Sequence, residues 1–185
     1  MEWLLASCLI LFSVIWFTSG IFIGPPHYIP SLCTVFTHLN HECRYLQLIP
    51  FMCALTVDLI LVMMLIHRLT GSMTVVILFG GAWIVFCIEL VRIRPSEDMD
   101  PSFDWIHTAM SGMIYSCIIL TIAILTSPAV ACIIVLCQVI LETIRATDSS
   151  MYSQLLGISQ HIYLLLFIIA FIIKIEQGGF KKRIK

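Results

Sequence analysis

Long apolar runs separated by short polar connections dominate the sequence, and this pattern predicts a bundle of membrane helices. A helix needs about 20 apolar residues to cross the hydrocarbon core of a bilayer, and six runs approach or exceed that length. The predicted spans cover about residues 3–24, 47–67, 73–93, 105–126, 128–144 and 154–173. We therefore predict an all-α transmembrane domain over residues 1–176, followed by a basic cytoplasmic tail over residues 177–185.

The first run has the hydrophobicity of a signal peptide but not its flanking residues. No basic residue precedes it, and Pro25 and Pro26 follow where a signal peptide carries small residues for cleavage. We therefore interpret it as the first span. Ser127 and Pro128 alone separate the fourth and fifth runs, which indicates a tight hairpin in which proline begins the next helix.

Basic residues predict the orientation, because lysine and arginine accumulate on the cytoplasmic side of membrane helices. Six spans place both termini on one side, and the densest basic cluster lies in the C-terminal tail. Six of the ten lysines and arginines then face the cytoplasm: Arg68, Lys174, Lys181, Lys182, Arg183 and Lys185. The connections at 25–46, 94–104 and 145–153 face the lumen or the exterior. The tail is a retrieval signal, a contact for anionic lipid or a plain membrane anchor.

Composition excludes several classes of function. The chain of 185 residues is 60% hydrophobic and 11% charged, whereas soluble domains hold roughly 45–50% apolar and about 25% charged residues. A formal net charge of -1 provides no basic field for nucleic acid. The sequence has no phosphate-binding glycine loop, Cys-x-x-Cys or His-Glu-x-x-His motif, and its histidines lack the paired spacing of haem ligands. No metal or cofactor is predicted.

The most informative polar residues surround the start of the fourth span. An acidic connection ends at Asp104, and His107 lies about one turn inside the membrane helix. Ionisable groups at that depth are costly and usually face a cavity, a partner or a reaction. We predict that His107 is a catalytic general base or headgroup ligand, with Asp104 orienting it. The alternative is an ordinary interhelical hydrogen bond, usually worth about 1 kcal/mol or less.

Four other ionisable residues share the predicted outer depth: Glu89, Glu142, Arg145 and His161. Such a layer suits the binding of a lipid headgroup or acid–base chemistry below the membrane surface. Glu142 and Arg145 are three residues apart, however, and can simply neutralise each other. Asp58 lies deeper, in the middle of the second span, with no basic residue within a turn. We expect Asp58 to be protonated or to pair with a residue of another helix.

The cysteines give one candidate disulfide. Six of the eight lie in apolar runs, where a free thiol behaves as a small hydrophobe. Cys33 and Cys43 share the first connection and are the pair placed to bond if that connection faces an oxidising compartment. The loop geometry must also allow the bond, so the bonded and the free states both stay open.

Short motifs along the chain resemble a known family of membrane proteins. His-Tyr-Ile-Pro-Ser-Leu at residues 27–32, followed by Arg44 and Tyr45, is similar to the Asn-Tyr-Leu-Pro-Ser-Ile-Ser and Arg-Tyr signature of the Frag/DRAM/Sfk family. Ser-Glu-Asp at residues 96–98, followed by His107, resembles the Ser-Glu-Asp and His passage of the same family.

The resemblance continues to the last span but is not complete. Arg145 and Tyr152 match an Arg and Tyr pair at the fifth-to-sixth connection. Gln160 and His161 stand where family members often carry Glu, and Cys33 replaces a serine of the first motif. Six spans and a lysine-bearing tail agree with the family. The nearest branch is that of the post-GPI-attachment-to-proteins factor two proteins.

The resemblance implies a multi-pass protein of the Golgi, endoplasmic reticulum, another endomembrane or the plasma membrane that handles lipid. In the nearest branch this means remodelling the lipid of glycosylphosphatidylinositol (GPI) anchors. Arg44, Tyr45 and Arg145 would then contact the headgroup of a phospholipid or GPI. Other branches imply a non-enzymatic regulator, or an accessory transmembrane subunit of a larger membrane complex.

A channel or carrier is less favoured, because no inverted repeat or broken span is evident in the sequence.

Overall fold

The computed structural model describes residues 1–23, 29, 31–41, 45–92, 105–147 and 149–180. Every regular element within those residues is a helix, which confirms the predicted all-α class. The helices in chain order are α1 (Glu2–Ile23), α2 (Leu32–His41), α3 (Tyr45–Thr70), α4 (Met73–Arg92), α5 (Trp105–Leu125), α6 (Pro128–Thr147) and α7 (Ser149–Glu176).

Four of these helices contain segments long and apolar enough to cross a membrane. The segments are Glu2–Ile21, Leu46–Thr70, Pro128–Thr147 and Leu155–Glu176. Helices α4 and α5 contribute the shorter apolar segments Met73–Val85 and Gly112–Leu125. This arrangement is compatible with a multi-pass integral membrane protein.

Helix α2 lies within residues 25–46, which the hydrophobicity pattern predicted to be a connection between two spans. Its ten residues are too short to cross a bilayer. The Oγ of Ser31 accepts a hydrogen bond from the backbone N–H of Thr34 at 3.2 Å, which is the geometry of a helix N-cap. Val35, Phe36 and Leu39 lie on one face of α2 and are buried. The helix therefore forms because its amphipathic pattern has an apolar surface to pack against.

The six long helices surround a common interior. Going around this helical ring, α1 contacts α3, α3 contacts α4, α4 contacts α5, α5 contacts α6, α6 contacts α7, and α7 returns to α1. Helix α2 contacts α1, α3 and α4. Its apolar face packs with Phe12, Trp16 and Phe51 in one buried cluster. We call the end of the ring that α2 covers the α2 end.

Both termini of the described chain meet at the opposite end. The guanidinium of Arg68, in the last turn of α3, pairs with the carboxylate of Glu2. The same side chain donates to the carbonyl oxygen of Phe180 at 3.3 Å. Gly71 has a φ of 66° in the turn between α3 and α4, a left-handed conformation that favours glycine. These contacts join α1, the α3–α4 turn and the end of α7 at what we call the terminal end.

The larger buried cluster draws residues from all six long helices. Leu5, Leu65, Leu125, Ile134 and Phe171 are among its most buried members, each with at most 1% of its surface exposed. Large apolar side chains also cover the outside of the bundle, including Leu136 on α6 with 62% exposed. An apolar exterior around a packed interior is expected where lipid tails replace water.

We predict that Leu65→Ala destabilises the bundle far more than Leu136→Ala. Both variants remove the same atoms from a helix, but only Leu65 leaves a void in the packed interior. Removing a buried leucine side chain costs about 2–5 kcal/mol, whereas an exposed substitution usually changes stability by about 0.5 kcal/mol or less. Thermal unfolding in mild detergent measures the difference. Equal midpoints for the two variants would contradict the packing described above.

Candidate functional site

A cavity of about 270 Å³ lies inside the helical ring. Helices α1, α2, α3, α4, α5 and α7 contribute its lining, whereas α6 contributes none of it. Most lining side chains are apolar, including Phe12 of α1, Phe79 of α4 and Phe167 of α7. For comparison, an apolar cavity of roughly 150 Å³ stays dry and accommodates benzene. The cavity is therefore large enough for a substantial apolar group.

The cavity extends over about two helical turns along the ring axis. Its lining on α1 extends from Leu9 to Trp16, and its lining on α3 extends from Leu55 to Val62. Each interval covers seven helical steps, or about 10 Å at a rise of 1.5 Å per residue. The shape suits a hydrocarbon chain lying along the helices better than a compact, strongly hydrated ligand.

Asp58 is the one acidic side chain among the described residues of this lining. It lies near the middle of the 26-residue helix α3, and only 4% of its surface is exposed. Neither carboxyl oxygen has a hydrogen-bond partner in the part of the chain that the structure describes. A buried polar group without a partner is costly, so this carboxyl is the least satisfied group of the cavity.

The expectation for Asp58 included pairing with a residue of another helix, and no described residue provides that pair. Thr121, the polar residue of α5 nearest the terminal end of the cavity, donates its hydroxyl to the carbonyl of Cys117 in its own helix. Among the described residues of the lining there is no lysine, arginine or histidine. Asp58 therefore faces the cavity without a compensating charge from the lining residues.

Gln160 closes the α2 end of the cavity by joining three helices. Its Oε1 accepts a hydrogen bond from the backbone N–H of Leu32 at 2.9 Å. Its Nε2 donates to the hydroxyl oxygen of Tyr115 at 2.9 Å. The N–H of Leu32 is one of the first donors of α2, which have no acceptor within the helix itself. A side chain of α7 thus caps α2 and links it to α5.

Trp16 and His161 form a stacked pair beside this closure. Their ring centroids are 3.9 Å apart with an interplanar angle of 35°. The Nδ1 of His161 donates to the carbonyl oxygen of Gly157 at 2.8 Å. Its buried Nε2 and the indole N–H of Trp16 have no hydrogen-bond partner among the described residues. His161 therefore acts mainly as a packing residue between α1 and α7 in this conformation.

A second polar group lies at the α2 end of α6, on the boundary with α7. The Nη1 of Arg145 donates to Oε2 of Glu142 at 3.2 Å. Gln138 donates to Oε1 of the same carboxylate at 3.0 Å, and the hydroxyl of Tyr152 does so at 3.4 Å. The guanidinium carbon of Arg145 also lies 5.7 Å from the ring centre of Tyr152. We call these four residues the polar cluster.

The polar cluster reaches the cavity through one tyrosine. The hydroxyl of Tyr163, whose side chain lines the cavity, donates to Oε1 of Gln138 at 3.5 Å. Gln138, Glu142 and Arg145 follow one another at spacings of four and three residues, so they lie on one face of α6. This face turns toward α7, and it connects the lipid-side surface of the bundle with the cavity wall.

The predicted outer layer divides into separate groups. Glu142 and Arg145 pair with each other, which was the simpler of the two interpretations, while Arg145 keeps 24% of its side chain exposed. His161 lies apart from them, against Trp16. Asp58, which was predicted to lie deeper than this layer, lines the cavity.

The other predicted site residues lie wholly or partly outside the described part of the chain. Asp104, Arg44 and Cys43 lie outside the described residues. Helices α3, α4 and α5 include the backbones of Tyr45, Glu89 and His107, but their side chains lie outside the described part. The catalytic role of His107 and the Cys33–Cys43 disulfide therefore stay predictions.

Sequence reasoning missed the roles of Gln138, Gln160 and Tyr115. Gln138 had a signal, since a polar residue four positions before Glu142 shares its helix face. Gln160 was visible as a polar residue in an apolar run, but its partner Leu32 is 128 positions away.

No protein-family model, curated protein or solved structure matches the chain.

We predict that Gln160→Leu loosens α2. The change removes the acceptor of the Leu32 N–H and leaves that donor buried without a partner, at a cost of about 1–3 kcal/mol. Hydrogen exchange of residues 31–41 should accelerate by between about fivefold and a hundredfold, which corresponds to that energy. Gln177→Leu, at an exposed position immediately after α7, is the control. Unchanged exchange in Gln160→Leu would show that the hydrogen bond does not hold α2.

Proposed function

We propose that this chain is an endomembrane lipid-handling protein with six membrane spans. Its cavity holds the hydrocarbon of a lipid, and its polar cluster binds a phosphate-bearing headgroup at the membrane surface. The observation that carries the proposal is the apolar cavity of about 270 Å³ inside the helical ring. Ligand cavities of this kind are concave, mostly apolar and provided with a few placed polar groups.

The contacts at the terminal end support an orientation with both termini in the cytoplasm. The Arg68–Glu2 pair brings the N-terminus beside the α3–α4 turn, and Arg68 also donates to the carbonyl oxygen of Phe180, four residues after the end of α7. Lysine and arginine favour the cytoplasmic side, and Lys174 lies in the last turn of α7. The α2 end, with the polar cluster, would then face the lumen or the exterior.

Arg145 is suited to a phosphate because its donors are not all used. A guanidinium carries five N–H donors, and one of them bonds Glu142. Arginine also recognises phosphate through paired, charge-assisted hydrogen bonds. Glu142 and Tyr152 hold the side chain at the start of α7, so Arg145 is positioned before a lipid arrives.

The specific assignment to GPI-anchor lipid remodelling rests on the resemblance to the Frag/DRAM/Sfk family. His107 is the third residue of α5, and Tyr115 of the cavity lining follows it by eight residues. This separation is about 12 Å along the helix. A general base there would act on the polar end of a lipid whose hydrocarbon extends toward the cavity.

We expect a membrane lipid with a phosphate-bearing headgroup to co-purify with the protein in mild detergent. Native mass spectrometry should show about one lipid per chain. Arg145→Ala should reduce this occupancy by about tenfold, a loss of about 1.4 kcal/mol within the range for a hydrogen bond to a charged group. Arg68→Ala, at the terminal end, is the matched control. Ala82→Phe should also lower occupancy, because Ala82 lines the cavity.

The same purification tests the alternative class of function. Absence of a specific lipid, together with a stoichiometric large membrane partner, would replace lipid handling with the accessory-subunit function. Equal lipid occupancy in Arg145→Ala and Arg68→Ala would remove the polar cluster as the headgroup site.

We further expect His107→Ala to fail in restoring GPI-anchored proteins at the surface of cells that lack this protein. The reason is the loss of the proposed general base. His38→Ala, a histidine of α2, serves as the comparison, and surface display is measured by flow cytometry at matched expression. Full restoration by His107→Ala would eliminate the catalytic assignment.

A further inference from the structure

We propose that the cavity has its own ligand, a long-chain amine whose ammonium group donates hydrogen bonds to Asp58. The proposal goes beyond lipid handling at the polar cluster and rests on it in one respect, that the cavity accepts hydrocarbon. Arg145 lies on α6, which does not line the cavity. The polar end of this ligand is therefore bound at a different place from a phosphate at Arg145, and the amine is an alternative occupant of the same hydrocarbon cavity.

The first argument is that the two carboxyl oxygens of Asp58 are acceptors that receive no hydrogen bond from a described residue. Asp58 has 4% of its surface exposed, and both of its carboxyl oxygens lack a partner among the described residues. Two carboxylate oxygens offer about four lone-pair sites. Buried polar groups in folded proteins are nearly always hydrogen-bonded, so such an exception needs an explanation. Because Asp58 lines a cavity, we explain the exception by a ligand in that cavity that supplies the donors.

The second argument concerns charge. An ionised carboxylate in an apolar interior is stable only when it is paired, and the part of the lining that the structure describes contains no lysine, arginine or histidine. A protonated amine supplies three donors and one positive charge. A hydroxyl group supplies one donor and no charge. Charge-assisted bonds between an ammonium and a carboxylate are also roughly twice as strong as neutral ones.

The third argument is that the rest of the cavity requires hydrocarbon. Gln160 is already bonded to Leu32 and Tyr115, and Thr121 is bonded within its own helix. Phe12, Phe79 and other apolar side chains form most of the wall. The indole N–H of Trp16 also lacks a partner among the described residues, but it is a donor, so the carboxyl of Asp58 is the unsatisfied acceptor. A ligand with several polar groups would therefore lose its hydration without replacement, whereas a single amine on an alkyl chain matches that carboxyl.

Two tryptophans of the lining provide a direct measurement. Trp16 and Trp83 both border the cavity, and a bromine atom quenches tryptophan fluorescence on contact. Three terminally brominated probes of equal chain length are titrated into the full chain in nanodiscs: bromoundecylamine, bromoundecanol and bromoundecane. The Ala82→Phe variant has its cavity filled, so the quenching that remains in this variant measures probe dissolved in the lipid and is subtracted.

We expect the amine to bind wild-type protein at least tenfold more tightly than the alcohol and the alkane. In Asp58→Asn and Asp58→Leu this preference should disappear, while the alkane still binds. Glu176→Gln, which changes an exposed carboxylate at the end of α7 in the same way, should keep the preference. Thermal unfolding of each variant confirms that it is folded, and replacing the buried unpaired acid by an amide or leucine should not lower its midpoint.

The outcomes separate this inference from the proposed function. Equal binding of the three probes to wild type, or a preference for the amine that survives in both Asp58 variants, overturns the amine site but leaves the hydrocarbon cavity intact. Binding of the alcohol as tightly as the amine also overturns it. Absence of cavity-specific quenching by every probe overturns both this inference and the hydrocarbon site of the proposed function.

Discussion

The structure depends on one constraint, that a polar group in apolar surroundings must find its partner within the protein. Helices meet this requirement for the backbone, which is why the described part of the chain consists of them. Side chains meet it through a few long-range contacts. Gln160 uses both ends of its amide, one on the backbone of α2 and one on Tyr115 of α5. Glu142 satisfies Gln138, Arg145 and Tyr152 together.

Against this background, the same constraint makes Asp58 informative. Elsewhere in the cavity wall the polar side chains are paired or lie at its ends, but the carboxyl at mid-helix is not paired within the described chain. Retaining an unpaired acid in a helical bundle is costly. Occupation by a donor-bearing ligand would relieve that cost, and it would connect binding with stability, since a ligand that binds the folded state stabilises it.

The short helix α2 gives the ring two different ends. At the terminal end, long helices meet through the Arg68–Glu2 pair and the carbonyl of Phe180. At the α2 end, an amphipathic helix buries Val35, Phe36 and Leu39 against α1 and α3. One side-chain hydrogen bond from α7 holds its first turn. Under the proposed function, the terminal end would be the cytoplasmic side and the α2 end the luminal side where headgroups are bound.

Local sequence determined the helices of this protein, because apolar runs of about 20 residues have one stable form in a bilayer. It also determined the Glu142–Arg145 pair, since two residues three positions apart on a helix are neighbours in any fold. The short amphipathic pattern of α2 was insufficient alone, because ten residues form a stable helix only when their apolar face is covered. Its partners Phe12, Trp16 and Phe51 come from other elements.

Only the tertiary structure decided which polar residues share a site. Sequence depth grouped His161 with Glu142 and Arg145, yet helix rotation turns His161 toward Trp16. Gln160 is the residue immediately before His161, but its side chain points toward α2 and α5. Adjacent residues of a helix project about 100° apart. Whether Asp58 would find a partner depended on what α1, α2, α4, α5 and α7 place opposite α3. They place an apolar cavity there, and no local pattern contains that information.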